Sequence, residues 1–246
     1  MRRSMGGRHF IRSGIGMTVK LPSLKRGERA VWPALTPTLA RKTAILSIVP
    51  EFLVLGGDAA AAHHVRQLGR AFGPGALRVV DSDWEEAIRD WVPLAAPDDQ
   101  LVPAPTMPHL LRRWLAAELG AVAAETPGGW GLPFEVAGTE GELYLSAAAW
   151  TCPATCVEPA HCPVLHGPRD WDLAGLIAGR AVELGYTPVI FRVHHYAAGV
   201  ATVPAAALQS ALQARARQLL VATSSHCHAA VGALLAPVPG KLSDGP

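Results

Sequence analysis

Three of the four cysteines of this 246-residue chain fall within eleven residues, in the stretch WTCPATCVEPAHCPVLHGPRDWD that begins at Trp150. Cys152, Cys156 and Cys162 are spaced C-x3-C-x5-C, and the fourth, Cys227, stands alone in TSSHCHAAVGAL. Four thiolates complete the ligand shell of an iron–sulfur cluster or of a tetrahedral zinc ion. Proline directly follows Cys152 and Cys162, as in ferredoxin-type ligation, where it turns the chain away from the ligand. The spacing is neither the bacterial nor the plant ferredoxin run. Zinc is the alternative, held by the cysteines or by a mixture with His161, His166, His226 or His228, although only one short C-x3-C knuckle is present. Disulfides and four idle thiols are the other readings. The expectation is a metal site at Cys152, Cys156, Cys162 and Cys227, with an iron–sulfur cluster preferred over zinc.

Cys227 has a second reading. If a helix follows it, strand, turn and helix make a nucleophile elbow, and the helix terminus favours the thiolate. His194 and His195, at the end of a neighbouring strand, are candidate bases. Glu158 and Arg169, inside the cysteine loop, read as partners of the ligands or as solvent-facing.

The elements that must position these groups alternate. EFLVLGG (51–57) reads as a buried strand, DAAAAHHVRQLGRAF as a helix stopped by Gly73-Pro74-Gly75, and ALRVVDSD as a strand. WEEAIRDW reads as a helix capped by Asp81 or Asp83, residues 100–104 as a short strand, and residues 107–119 as an amphipathic helix with Arg112 and Arg113 on a solvated face. Residues 124–170 are rich in glycine and proline and read as an irregular insertion. After it the spacing predicts a helix over 171–185, a strand TPVIFRVH, a helix over 204–217, a strand QLLVATSS and a final helix HCHAAVGALL. The fold class is therefore α/β, a Rossmann-like, mostly parallel sheet with helices on both faces and an irregular cysteine-bearing insertion. The organisation expected is a basic, flexible lead (1–43), a Rossmann-like half (44–123), the insertion (124–170) and a second α/β half (171–246).

LVLGGDAAAAHHV followed by RVVDSD runs from a strand into a helix, with Asp81 near the spacing of a ribose-binding acid. In this, residues 50–120 resemble the single NAD(P)-binding units of the TrkA-N and siroheme-synthase type. The resemblance implies Gly56, Gly57 and Asp81 as cofactor-binding residues. Asp58 stands where that fingerprint has its second glycine, and its carboxylate would face the pyrophosphate or cap the helix. The pattern CP-x2-C-x-EP-x2-CP with a later HCH-x2-VGAL resembles bacterial proteins with a Rossmann-like N-terminal half and brings no activity with it.

The composition is globular, half hydrophobic and 17% charged. Residues 1–42 carry ten Lys/Arg against one acid, whereas the remainder carries a net charge of −7. An acidic body with no basic face argues against nucleic acid as partner. No apolar run reaches the length of a membrane span and no signal segment follows the first arginines. A cytoplasmic protein with reduced thiols is expected, serving a redox or electron-transfer role within a larger complex or with a protein partner. The alternative is a zinc-stabilised, non-catalytic module with a degenerate nucleotide pocket.

Overall fold

Every residue of β1 (Phe52–Leu55) is apolar and buried, because the strand lies in a sheet with a core on each face. The computed structural model describes residues 49–104, 107–152, 156–197 and 199–237, and the basic lead lies outside them. β1 pairs in parallel with β2 (Leu77–Val80) and β3 (Gln100–Val102). The crossovers are α1 (Ala59–Phe72) and α2 (Trp84–Trp91), each too long a connection for a hairpin. β11 (Val200–Pro204) then adds antiparallel to β3, and β10 (His194–Ala197) to β11. The first sheet therefore has the order β10-β11-β3-β1-β2, its outer two strands supplied by the second half of the chain.

The second sheet has the order β5-β6-β13-β12-β9, built from β5 (Phe134–Ala137), β6 (Leu143–Ser146), β9 (Thr187–Arg192), β12 (Gln218–Ser224) and β13 (His228–Leu235). β4 (Val122–Ala124) also pairs with β13. Only β9 and β12 are parallel here; the β5–β6 and β12–β13 links are short turns, which force antiparallel pairing. The chain is thus mixed α/β. Among the described residues, parallel pairing is confined to β2-β1-β3 and β9-β12.

Three helices fill the space between the sheets: α2, α3 (Leu110–Leu119) and α5 (Ala205–Ala211). Trp91, Trp114 and Leu208 from these helices meet Leu53 and Leu101 of the first sheet and Phe191 and Val221 of the second. α1 covers the outer face of the first sheet, placing Leu68 against Phe52 and Val54. α4 (Leu173–Glu183) covers the outer face of the second with Leu173 and Ile177.

Three sequence expectations are corrected. HCHAAVGALL is not a helix but the hairpin turn and β13, gripped by β12 on one side and by β6 and β4 on the other. Its alanines and leucines favour helix locally, but pairing on both edges and two cores outweigh that preference. The stretch 124–170 is less irregular than expected, since it supplies β5, β6 and the two-residue ladder of β7 (His161–Cys162) and β8 (Gly167–Pro168).

Arg112, read as solvated, is only 5% exposed. It lies across Gly232 of β13, donates to the Glu140 carbonyl at 3.0 Å and faces Glu142 at 3.7 Å. A Cβ on Gly232 would come within 2.3 Å of the Arg112 Cδ. Gly232→Ala is expected to lower stability by about 1–3 kcal/mol in urea denaturation, although alanine suits a strand better than glycine. An unchanged midpoint would show that the arginine stem swings aside freely.

Candidate functional site

The cysteines meet at the end of the second sheet, beyond the carboxyl ends of the parallel strands β9 and β12, where open α/β sheets place ligands. β12 turns back into β13 through His226 and Cys227, closed by the Ser225 N–H donating to the His228 carbonyl at 2.8 Å. Cys227 is 1% exposed in that turn.

Glu158 joins the cysteine loop to this hairpin. Its backbone is left-handed, with φ of 47°, and its carboxylate accepts from the Ser225 hydroxyl at 2.7 Å, the His226 N–H at 2.8 Å and the Cys227 N–H at 3.2 Å. Burial raises the Glu158 pKa, but these three donors, with His195 nearby, outweigh it and hold the carboxyl below its ordinary value.

The sulfurs are held by donors. The Glu158 N–H donates to Cys156 Sγ at 3.4 Å, and the Arg169 guanidinium reaches the same sulfur at 3.9 Å. The backbone N–H groups of Leu165 and Val164, in the turn between β7 and β8, and the Arg169 charge lower the Cys162 pKa against its burial. Arg169 also lies against Cys227. Cys152 is raised by burial and by its neighbours Cys156, Cys162 and Glu158. Burial first, then the Glu158 charge, push the Cys227 thiol up to about 11.

Two tryptophans wall the cluster. The Trp150 and Trp171 rings meet edge to face at 6.4 Å, and Trp171 lies 6.3 Å from the His226 ring. Trp150 favours the Cys152 thiolate and Trp171 that of Cys227. Both indole N–H groups, together with Arg169 Nε and His226 Nε2, are buried, and apart from the Cys152 and Cys227 sulfurs beside the two indoles they meet no hydrogen-bond partner. A cavity of about 340 Å³ opens beside Cys152 and Cys156, with His195, Ser225 and His228 on its wall.

The structure therefore brings Cys152, Cys156, Cys162 and Cys227 into one neighbourhood. Among the described residues, no three His, Cys, Asp or Glu side chains form a group able to hold a metal ion; the Cys156, Cys162 and Cys227 sulfurs lie about the Arg169 guanidinium. The elbow geometry for Cys227 is absent because a strand follows it, and its raised pKa is the reverse of what a nucleophile requires. His195 lies on the cavity wall, whereas His194 is exposed.

Gly56, Gly57 and Asp81 lie elsewhere, at the ends of β1 and β2. Gly56, at φ of 122°, donates to the Val80 carbonyl at 2.8 Å. A Cβ on Gly57 would approach the Asp81 Cβ to 3.1 Å, so glycine lets the two strand ends converge. Asp58 caps α1, its Oδ1 accepting from the Ala61 N–H at 2.8 Å.

Sequence reasoning missed the converging role of Glu158 and Arg169 and the place of Trp150 and Trp171 on the wall of the cluster. The signal available was that Trp150, Glu158, Arg169 and Trp171 all flank or interrupt the cysteine stretch.

Among the described residues no helix is long and apolar enough to cross a membrane. No curated protein and no solved structure matches the chain. The family model AF_1314_C, described as "Uncharacterized protein, C-terminal domain", matches residues 107–236, more than half of the chain. That region runs from α3 through β13 and carries all four cysteines, Glu158, Arg169 and both tryptophans. The chain belongs to the AF_1314_C family, and its thiol cluster lies within the part that defines that membership.

Proposed function

We propose that Cys152, Cys156, Cys162 and Cys227 hold a metal centre, preferentially an iron–sulfur cluster, and that the protein serves a redox or electron-transfer role beside a protein partner. One observation carries this reading. Four buried polar atoms, on Trp150, Trp171, Arg169 and His226, lie about the thiols and have no hydrogen-bond partner other than sulfur. Buried donors left unpaired cost about 1–3 kcal/mol each, so such a cluster is favourable only if it faces negative charge. A thiolate-ligated cluster supplies that charge on its cysteine and sulfide sulfurs, and hydrogen bonds to them tune its potential. Binding requires the sulfurs to draw in around the centre and Arg169 to remain beside it as counter-charge.

The preferred setting is a reducing, cytoplasmic one, in keeping with four free thiols. The β2-β1-β3 trio with α1 after β1 supports a Rossmann-like ancestry for the first sheet. Capping of α1 by Asp58 favours a nucleotide pocket at Gly56, Gly57 and Asp81 that is degenerate.

Anaerobic purification with elemental analysis tests the reading. The expected result is iron and acid-labile sulfide with a brown absorbance near about 400 nm, bleached by dithionite. A colourless anaerobic protein carrying one zinc per chain would replace the cluster with a structural zinc site. A protein free of both, and unable to be reconstituted with either, would sink the metal reading.

A further inference from the structure

A second cavity, of about 510 Å³, lies on the inner face of the second sheet. Strand register explains its floor. Val136, Tyr144, Ala230 and Thr223 lie side by side across β5, β6, β13 and β12, and Phe134, Ser146 and His228 form the next row. Paired residues share a face. α3 covers this face further along, where Arg112 lies on Gly232, but it leaves these two rows open, with Pro108 at their rim. Phe134 and Val136 remain 47% and 56% exposed.

The cleft adjoins the thiol cavity, since Val193, Ser225 and His228 line both. No side chain carrying a fixed charge lines it. Behind the wall stand two carboxylates, Glu158 beneath Ser225 and the 1%-exposed Glu142, which accepts from the Tyr144 hydroxyl at 2.9 Å. Both are held in their charged form by hydrogen bonds that outweigh burial, and Arg112 is already taken by Glu142 at 3.7 Å, so the cleft offers an anion no counter-charge. The Tyr144 and Ser146 hydroxyls are engaged by Glu142 and Ala148, whereas no hydrogen bond engages the Thr223 hydroxyl or the His228 ring among the described residues.

We infer that this cleft binds a neutral, largely apolar small molecule bearing a carbonyl group, with the carbonyl accepting from Thr223 and His228 beside the thiol cavity. The volume is that of a small-molecule site, and its pattern of apolar walls with a few convergent polar groups is that of such sites. The inference stands apart from the metal reading, because nothing in the cleft depends on a centre at the sulfurs.

Benzophenone tests it directly, being neutral, apolar and a single carbonyl that inserts into neighbouring C–H bonds under ultraviolet light. Irradiation of the full chain with benzophenone, followed by peptide mapping, is expected to give saturable labelling within the segments that line the cleft, 134–146 and 223–230 together with those around Pro108 and Val193. Val136→Asp, at an exposed position that leaves the core alone, should cut labelling by about tenfold by placing a charge in the apolar cleft. Ala230→Trp should block it by filling the floor. The anionic analogue 4-benzoylbenzoate should label about tenfold less than benzophenone. Cys152→Ser, which disables the proposed metal site, should leave labelling unchanged. The inference is overturned by labelling outside these segments, by labelling indifferent to Val136→Asp, by equal labelling with the anion, or by loss of labelling in Cys152→Ser.

Discussion

Replacing Cys227 with serine is expected to reduce the iron or zinc retained by the reconstituted protein from one centre per chain to below about a tenth, while the fold persists. Serine is nearly isosteric with cysteine, and the turn that holds it is fixed by backbone groups, the Ser225 N–H on the His228 carbonyl and the Ala147 N–H on the Cys227 carbonyl. Loss of metal without loss of structure would therefore report ligation and not collapse. Proton counting gives a second readout. Cys227 has a thiol at about 11 and is protonated at neutral pH, so its ligation must expel a proton. Metal uptake should strengthen as pH rises towards that value, and the variant should release about one proton fewer per centre, measured in buffers of different ionisation enthalpy. Retained metal with unchanged proton release would remove Cys227 from the site. Metal loss from Cys227→Ser but not from Cys162→Ser would point to a centre that excludes the β7–β8 turn.

The parts of this site differ in how far the sequence reveals them. Strands β1, β2 and β9 follow from short apolar runs bounded by glycine, proline or acids, β12 from an apolar run between arginine and serine, and the Asp58 cap from residue type alone. The neighbourhood of Cys227 with the 152–162 loop is also legible, because a strand end at the carboxyl edge of a sheet is where loops converge. What fails is the helix expected after Cys227, since that segment is a strand. HAAVGALL has no alternation to mark it as one, because its outer face is apolar and lies under α4, while the inner face carries Ala230, Gly232 and Leu234 with α3 covering it only from Gly232 onward. The centre of the cluster was less accessible still. Arg169 reaches the sulfurs only because the β7–β8 ladder folds the loop back on itself, and Arg112 is buried only because Gly232 leaves room beneath it. Neither fact has a local signature. The antiparallel strands β10 and β11 show the same limit, for the pairing of β11 with β3 spans about a hundred residues and β10 joins the sheet only through β11.

Glu158 is expected to be the residue through which the loop is coupled to the hairpin, and its replacement tests the assembly of the whole site. Glu158→Gln keeps the volume but removes the charge and turns one acceptor into a donor, which then faces either the His226 N–H or the Cys227 N–H. Hydrogen bonds to a charged acceptor contribute about 1.5–3 kcal/mol, so a loss of about 2–3 kcal/mol at pH 7 is expected in denaturant titration. Metal retention should fall with it, since the loop bearing Cys156 and Cys162 is no longer held over Cys227. The pH dependence separates this from general damage. The folded pKa of Glu158 lies below its unfolded value, so the carboxylate's contribution is fully present above the unfolded value of about 4.3 and is lost as pH falls through the folded one. The gap in stability between the parent protein and Glu158→Gln should therefore be constant from pH 7 down to about 5 and close below it. A gap that persists at low pH would assign the loss to the altered amide geometry, and no gap at all would mean that the loop stays docked through Arg169 and the tryptophans alone.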